Sequence, residues 1–203
     1  MIALLLPALL AQSPSVQAAE TRDIPAFRVK GAVEAGVFET LEVLLDIERL
    51  RQWDTECLAA EIIRRPSRDR MLWRYVSDVP WPVDDREAIV WSAVTIVDGG
   101  RQVRIDFKQA GPDEPGVPAK TRPGQVRVPV LKGRWILTAK GPAHTHVDYE
   151  AKTVAGGSVP DWLVAQMGES SPRALFEGLK KRAKEVHASG LYVDQVKAWS
   201  AAP

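Results

Sequence analysis

The sequence predicts an α+β domain in which a curved antiparallel sheet wraps around a long C-terminal helix, with a helix pair after the first strand. Three observations predict it. From Cys57 to Val154 the apolar residues keep mostly to a period of two, and turn sequences separate the segments, as in consecutive antiparallel strands. The one long stretch of helical spacing comes afterwards, from Val159 to about His187, so the sheet has a single long helix to close on. The third observation is the corner Val79-Pro80-Trp81-Pro82-Val83-Asp84-Asp85-Arg86-Glu87. Its two prolines lack backbone donors and fix φ, so the corner is neither helix nor central strand. It passes abruptly into Ala88–Val97, rich in β-branched and aromatic residues, which reads as a strand entered through a rigid, charged bend.

With 203 residues the chain is long enough for one domain with a substantial core. Its 45% hydrophobic and 26% charged content is that of an ordinary soluble domain, and no internal repeat is visible. The net charge of +1 and the lack of a long basic run argue against a nucleic-acid partner. Residues 1–18 read as an export signal. Ile2–Leu10 is apolar apart from Pro7 and shorter than the roughly 20 residues that span a bilayer, and Val16 and Ala18 suit cleavage before Ala19. The segment lacks a basic n-region. The expected location is therefore periplasmic or extracellular, with a mature domain over 21–189 and a tail over 190–203. Cys57 is the only cysteine, which excludes an internal disulfide and any zinc site built from two or more thiolates.

The elements follow in order. Asp23–Glu34 alternates loosely and predicts a first strand. Val37, Phe38, Leu41, Leu44 and Leu45 recur at helical spacing, and Ile47–Trp53 predicts a second helical piece. Cys57–Arg65 and Met71–Asp78 predict an antiparallel pair. Glu87–Val97 and Arg101–Lys108 are joined by Asp98-Gly99-Gly100, a hairpin turn that needs positive φ. Ala110–Pro123, with four prolines, reads as loop. Gly124–Lys140 predicts one long strand with Gly133 as a bulge, and His144–Val154 a last strand. Ser158 is the expected helix cap, and Gly168 to Pro172 the expected kink or break, because an interior Pro costs roughly 3 kcal/mol. Gly190 is the expected stop.

A sheet gripping a helix leaves a tunnel between them, lined by alternate strand residues and one helix face. Trp73 and Tyr75 share a face and belong either to that lining or to the core continuous with it. Val90, Ile105, Val128 and Trp135 are further candidate wall positions, all apolar. Trp53, Trp81 and Trp162 read as packing anchors. His144, His146 and Asp148 share a strand face, but an exposed strand end is the simpler reading, and no metal or cofactor is expected. Ser158 and Cys57 have no His and Asp at triad spacing, and no phosphate-binding Gly-rich loop occurs.

Leu44–Asp54, ending in Trp53-Asp54, the corner with Trp81-Pro82 and Arg86-Glu87, and Val159-Pro160-Asp161-Trp162-Leu163 together resemble the START (StAR-related lipid-transfer) domains of the helix-grip, Bet v 1-like superfamily. The resemblance covers Ala32 to Ala188. It implies a helix-grip fold and one lipid or sterol-like ligand held in the tunnel, without catalysis, in a monomer that touches membranes transiently. The implied ligand-binding set is Trp73, Tyr75, Arg86, Val90, Ser92, Trp135, Trp162 and Met167. Arg86 either orients a polar headgroup or, as charged corners usually do, pairs with Asp54, Asp84 or Asp85. Sterol-binding members often carry a second Arg six residues on. Here that position is Ser92, whose hydroxyl offers one polar contact. The alternative is a helix-grip enzyme of the aromatase/cyclase type acting on a polyketide-like substrate, which would need a tuned acid or base in the tunnel.

Overall fold

β-branched and aromatic residues at alternate positions build the sheet, and its order follows from short connections. The computed structural model describes residues 23–201, so the expected signal segment lies outside the described residues. β1 (Asp23–Val33) leads into α1 (Val37–Leu45) and a 3₁₀ turn (Ile47–Gln52). Then follow β2 (Cys57–Ser67), β3 (Arg70–Ser77), β4 (Asp85–Val97), β5 (Gln102–Gln109), β6 (Gln125–Arg127), β7 (Val130–Gly141) and β8 (His144–Val154). The chain closes with α2 (Asp161–Ala165), a π-helical turn (Gln166–Ser170), α3 (Ser171–Ser189) and α4 (Val193–Ser200).

The strands lie in the order β1-β8-β7-β5-β4-β3-β2, every neighbouring pair antiparallel, and β6 adds a short parallel ladder to the start of β4. β1 and β2 are therefore opposite edges, and α1 with the 3₁₀ turn carries the chain between them. The fold is the predicted α+β helix grip, a curved open sheet closed by a long C-terminal helix. Phe176, Leu179, Ala183 and Val186 on α3 repeat at three and four residues and are all buried. They meet Val33, Leu41, Leu137 and Val147 in the main core. Each of the Val, Leu and Phe side chains among them contributes about 1.5–3 kcal/mol by leaving water, and Ala183 less. Gly178 lets α3 come this close, since a Cβ there would stand 2.1 Å from the Trp53 carbonyl oxygen.

Several local expectations are corrected. The predicted strand over 124–140 is broken at Val128-Pro129, where Val128 N–H donates to Glu87 O (2.9 Å) instead of continuing β7. Gly133 is no bulge. It keeps register with Phe107 and Ala151, and its missing side chain makes room for the Phe107 ring, which a Cβ would approach to 2.6 Å. Pro160, not Ser158, occupies the N-cap position of α2. Over Gly168 to Pro172, the expected site of a kink or break, the helix passes through the π turn without breaking, with Ser170 and Ser171 helical at φ/ψ −73/−46° and −62/−48°. One widened turn accommodates the proline ring, and Pro172 falls in the first turn of α3, where its missing N–H is least costly.

The segment beyond Gly190, expected as a tail, folds as α4 against α1. Tyr192 and Trp199 are buried there, the Tyr192 hydroxyl donates to Asp46 (2.5 Å), and the Arg68 guanidinium lies 3.9 Å from the Trp199 ring centre. The hairpin turn is as expected, with φ of 55°, 61° and 86° at Asp98, Gly99 and Gly100.

Candidate functional site

The concave sheet and the α2–α3 segment do not close on one another completely. Between them is a cavity of about 220 Å³. Strand alternation supplies its walls: Trp73 and Tyr75 from β3, Val90 and Ser92 from β4, Ile105 and Phe107 from β5, Trp135 from β7 and Tyr149 from β8. Trp135 and Tyr149 are cross-strand partners whose rings stack at 3.7 Å, and Phe27 meets Tyr149 edge-on at 5.2 Å. Trp73 lies edge-on to Tyr75 at 6.2 Å, and its indole N–H donates to the Ser92 hydroxyl (2.9 Å). Such stacked and edge-on pairs hold large rings in defined positions. Gln166 and Met167 of the π turn, with Ser171, Pro172 and Leu175 of α3, form the facing wall.

One end is acidic. Asp54, 5% exposed, accepts from the Tyr75 hydroxyl (2.9 Å) and from Glu56 N–H (3.1 Å). Burial pushes its pKa up, and these two hydrogen bonds only partly offset that. Glu56 accepts from the Ser171 hydroxyl (2.8 Å), bridging the start of β2 to the start of α3. Burial raises its pKa too, and the charge of Asp54 adds to the rise. The Tyr75 phenol lies well above its ordinary value through burial and the adjacent Asp54. Asp78, at the end of β3, joins this end from the exposed side.

Of the predicted site residues, Trp73, Tyr75, Val90, Ser92, Trp135 and Met167 line the cavity, and Arg86 and Trp162 do not. Arg86 is 2% exposed, but its guanidinium is spent on backbone carbonyls: Ala155 (3.0 Å), Gly156 (3.1 Å), Ser158 (3.5 Å) and Asp84. It ties the segment between β8 and α2 to the corner, its hydrogen bonds go to carbonyls and not to the carboxylates of Asp54, Asp84 or Asp85, and it lies outside the cavity lining. Trp162 is 46% exposed and Trp81 91% exposed, so neither is the packing anchor expected; Trp53 is. Val128 packs with Ala88 and Val90 behind the wall and does not itself line the cavity. Trp91 lies between the Arg64 and Arg70 guanidinium groups, 5.1 and 4.5 Å from its ring centre. The two other arginines near the corner serve Glu87, which accepts from Arg74 (2.6 Å) and Arg127 (2.6 and 2.9 Å).

The sequence reading missed Asp54, Glu56, Phe107 and Tyr149 as lining residues. Alternation along His144–Val154 would have found Tyr149, which shares a face with Val147 and Ala151. Asp54 and Glu56 sit between the 3₁₀ turn and β2, where no period applies.

A concave antiparallel sheet, a capping C-terminal helix and an aromatic-walled space between them define a helix-grip protein built around an internal cavity. The START domain family matches residues 9–189, and the chain belongs to that family. An uncharacterized Pseudomonas aeruginosa protein, PA1579, is 30% identical over 162 residues, 79% of this chain and 76% of that one. The crystal structure of a STAR-related lipid transfer protein from Xanthomonas axonopodis superimposes with a TM-score of 0.68 at 24% identity, covering 78% of this chain and 85% of that chain. The Zhui aromatase/cyclase from Streptomyces sp. R1128 superimposes at 0.54 with 14% identity, over 80% and 94% of the two chains. At these identities the two structures establish the fold alone.

Proposed function

We propose that the chain binds one hydrophobic, lipid- or sterol-like molecule in this cavity and carries it, without catalysis, as a monomer. The observation that supports the reading is a cavity of about 220 Å³ walled by Trp73, Trp135 and Tyr149 in the middle of the grip. Apolar burial drives such binding at roughly 25 cal/mol per Å² removed from water. A fluorescent sterol or fatty-acyl probe should bind one-to-one. Val90→Trp should fill the space and lower probe affinity by at least about tenfold, roughly 1.4 kcal/mol, while circular dichroism shows a folded protein. Unchanged affinity in the folded variant would count against the cavity as the site.

Export belongs to the same proposal, carried by the apolar Ile2–Leu10 run and the small residues before Ala19. Protein isolated from its own cell should begin near Ala19 or Glu20, and an intact Met1 would sink it.

A second reading, the aromatase/cyclase type, is favoured by one observation. Asp54 and Glu56 both have raised pKa values beside the Tyr75 phenol inside the cavity, as acid–base chemistry requires. Native mass spectrometry of protein purified from its own host separates the two. An unmodified ligand retained and released intact supports carriage; release of a product with altered mass supports the enzyme.

A further inference from the structure

Resting on the reading of the cavity as a ligand site, we propose that it selects amphiphiles whose polar end is a hydrogen-bond donor, neutral or cationic, and excludes anionic ones. The inference comes from where the charges near the cavity point. Asp54, Glu56 and Asp78 line one end, and among the described residues no Lys, Arg or His lines the cavity. The buried arginines close by are turned elsewhere. Arg86 is held by four backbone carbonyls, and Arg74 lies between Trp73 and Tyr75 in sequence, so strand alternation sends it to the opposite face, onto Glu87.

The aromatic walls point the same way. Trp73, Trp135 and Tyr149 line the cavity, and a polar end that meets one of their faces meets the negative side of the ring quadrupole, which attracts a cation or a polarised C–H and repels an anion. The donors within reach are mostly committed. Tyr75 O–H goes to Asp54, Ser171 O–H to Glu56, and Trp73 N–H to Ser92. Apart from the Ser92 and Thr153 hydroxyls, what remains for a ligand at the acidic end is acceptor capacity: spare lone pairs on Asp54 and Glu56 and the carbonyl of Gln166. A carboxylate or phosphate brought here would stand beside like charge in a water-poor site, or would have to take up a proton. An ammonium or hydroxyl finds acceptors waiting.

The test is displacement of a bound fluorescent sterol, at neutral pH and below micellar concentrations, by three single-chain probes of equal length: decylamine, decanol and decanoate. Decylamine and decanol should displace it, with decanoate at least about tenfold weaker than decylamine, the equivalent of 1.4 kcal/mol. Glu56→Gln with Asp78→Asn, at positions that keep at least partial exposure, and with Gln still able to accept from Ser171, should bring the amine-to-carboxylate ratio toward one. Asp54→Asn added to that pair should bring it closer still, if the triple variant folds. Decanoate matching decylamine in the wild type, or a ratio unmoved in the folded double variant, overturns the proposal while leaving the cavity as a ligand site. If neither the sterol nor any of the three probes binds, the cavity reading itself fails and this one with it.

Discussion

Asp54 shows how much one residue's environment decides. Its carboxyl is buried, hydrogen-bonded to Tyr75 and raised in pKa, chiefly by the loss of water around it. A carboxyl whose folded pKa lies above its unfolded value contributes stability that is fully present below the unfolded pKa and lost as pH rises through the folded one. The stability of Asp54→Asn relative to wild type should therefore improve as pH rises above about 4, the ordinary Asp value. Thermal unfolding reads this, each kcal/mol appearing as about 2–4 °C in a chain of this size. A difference between the two proteins that stays flat with pH would remove Asp54 from the account. Arg86 is the opposite lesson. Sequence marked it correctly as a key residue of the corner, but its partners are carbonyls 69 to 72 residues away as well as that of nearby Asp84, which no local pattern reveals.

Among the elements, the π turn is the joint whose movement is expected to open the cavity. A ligand enclosed between sheet and helix enters only if something moves, and Gln166–Ser170 is where the helix is least regular and where Gln166 and Met167 touch the cavity. The Glu56–Ser171 hydrogen bond clasps this joint to the sheet. Cysteines at 56 and 171, in a Cys57→Ser background, should slow lipid uptake on the order of tenfold when oxidised and release it when reduced. Equal rates in both redox states would show that the joint is static. The strand elements were legible because alternation, turn residues and the Pro-flanked corner are local. The break at Val128-Pro129 was not, because it depends on Glu87 O offering Val128 N–H a partner from another strand.

At the scale of the whole molecule, the corner and α2 form one rim of the cavity. Val79 packs with Val159 and Leu163, with Val83 and Met167 against them, and Trp81 and Trp162 project outward from these two elements. Amphipathic indoles exposed beside an opening suit a membrane–water interface, so membrane contact is proposed to occur here. Trp81→Ser should lower affinity for phosphatidylcholine vesicles by about tenfold, roughly 1.4 kcal/mol, and abolish most of the blue shift in tryptophan emission on mixing. A variant that binds vesicles as wild type does would place the contact elsewhere.

By itself the sequence determined most of the succession of elements, the antiparallel sheet with one long closing helix, and seven of the ten lining positions it named, Arg86, Val128 and Trp162 being the exceptions. These follow from a period of two, a period of 3.6 and the rigid geometry of Pro and Gly, all read over neighbouring residues. Only the tertiary structure decided that Arg86 serves the backbone, that Trp81 and Trp162 face outward, that the last segment is a packed helix, and that the cavity has an acidic end. Each of these is set by which distant segment arrives beside the residue. The balance between burial and hydrogen bonding that fixes the direction of a side chain is settled only there.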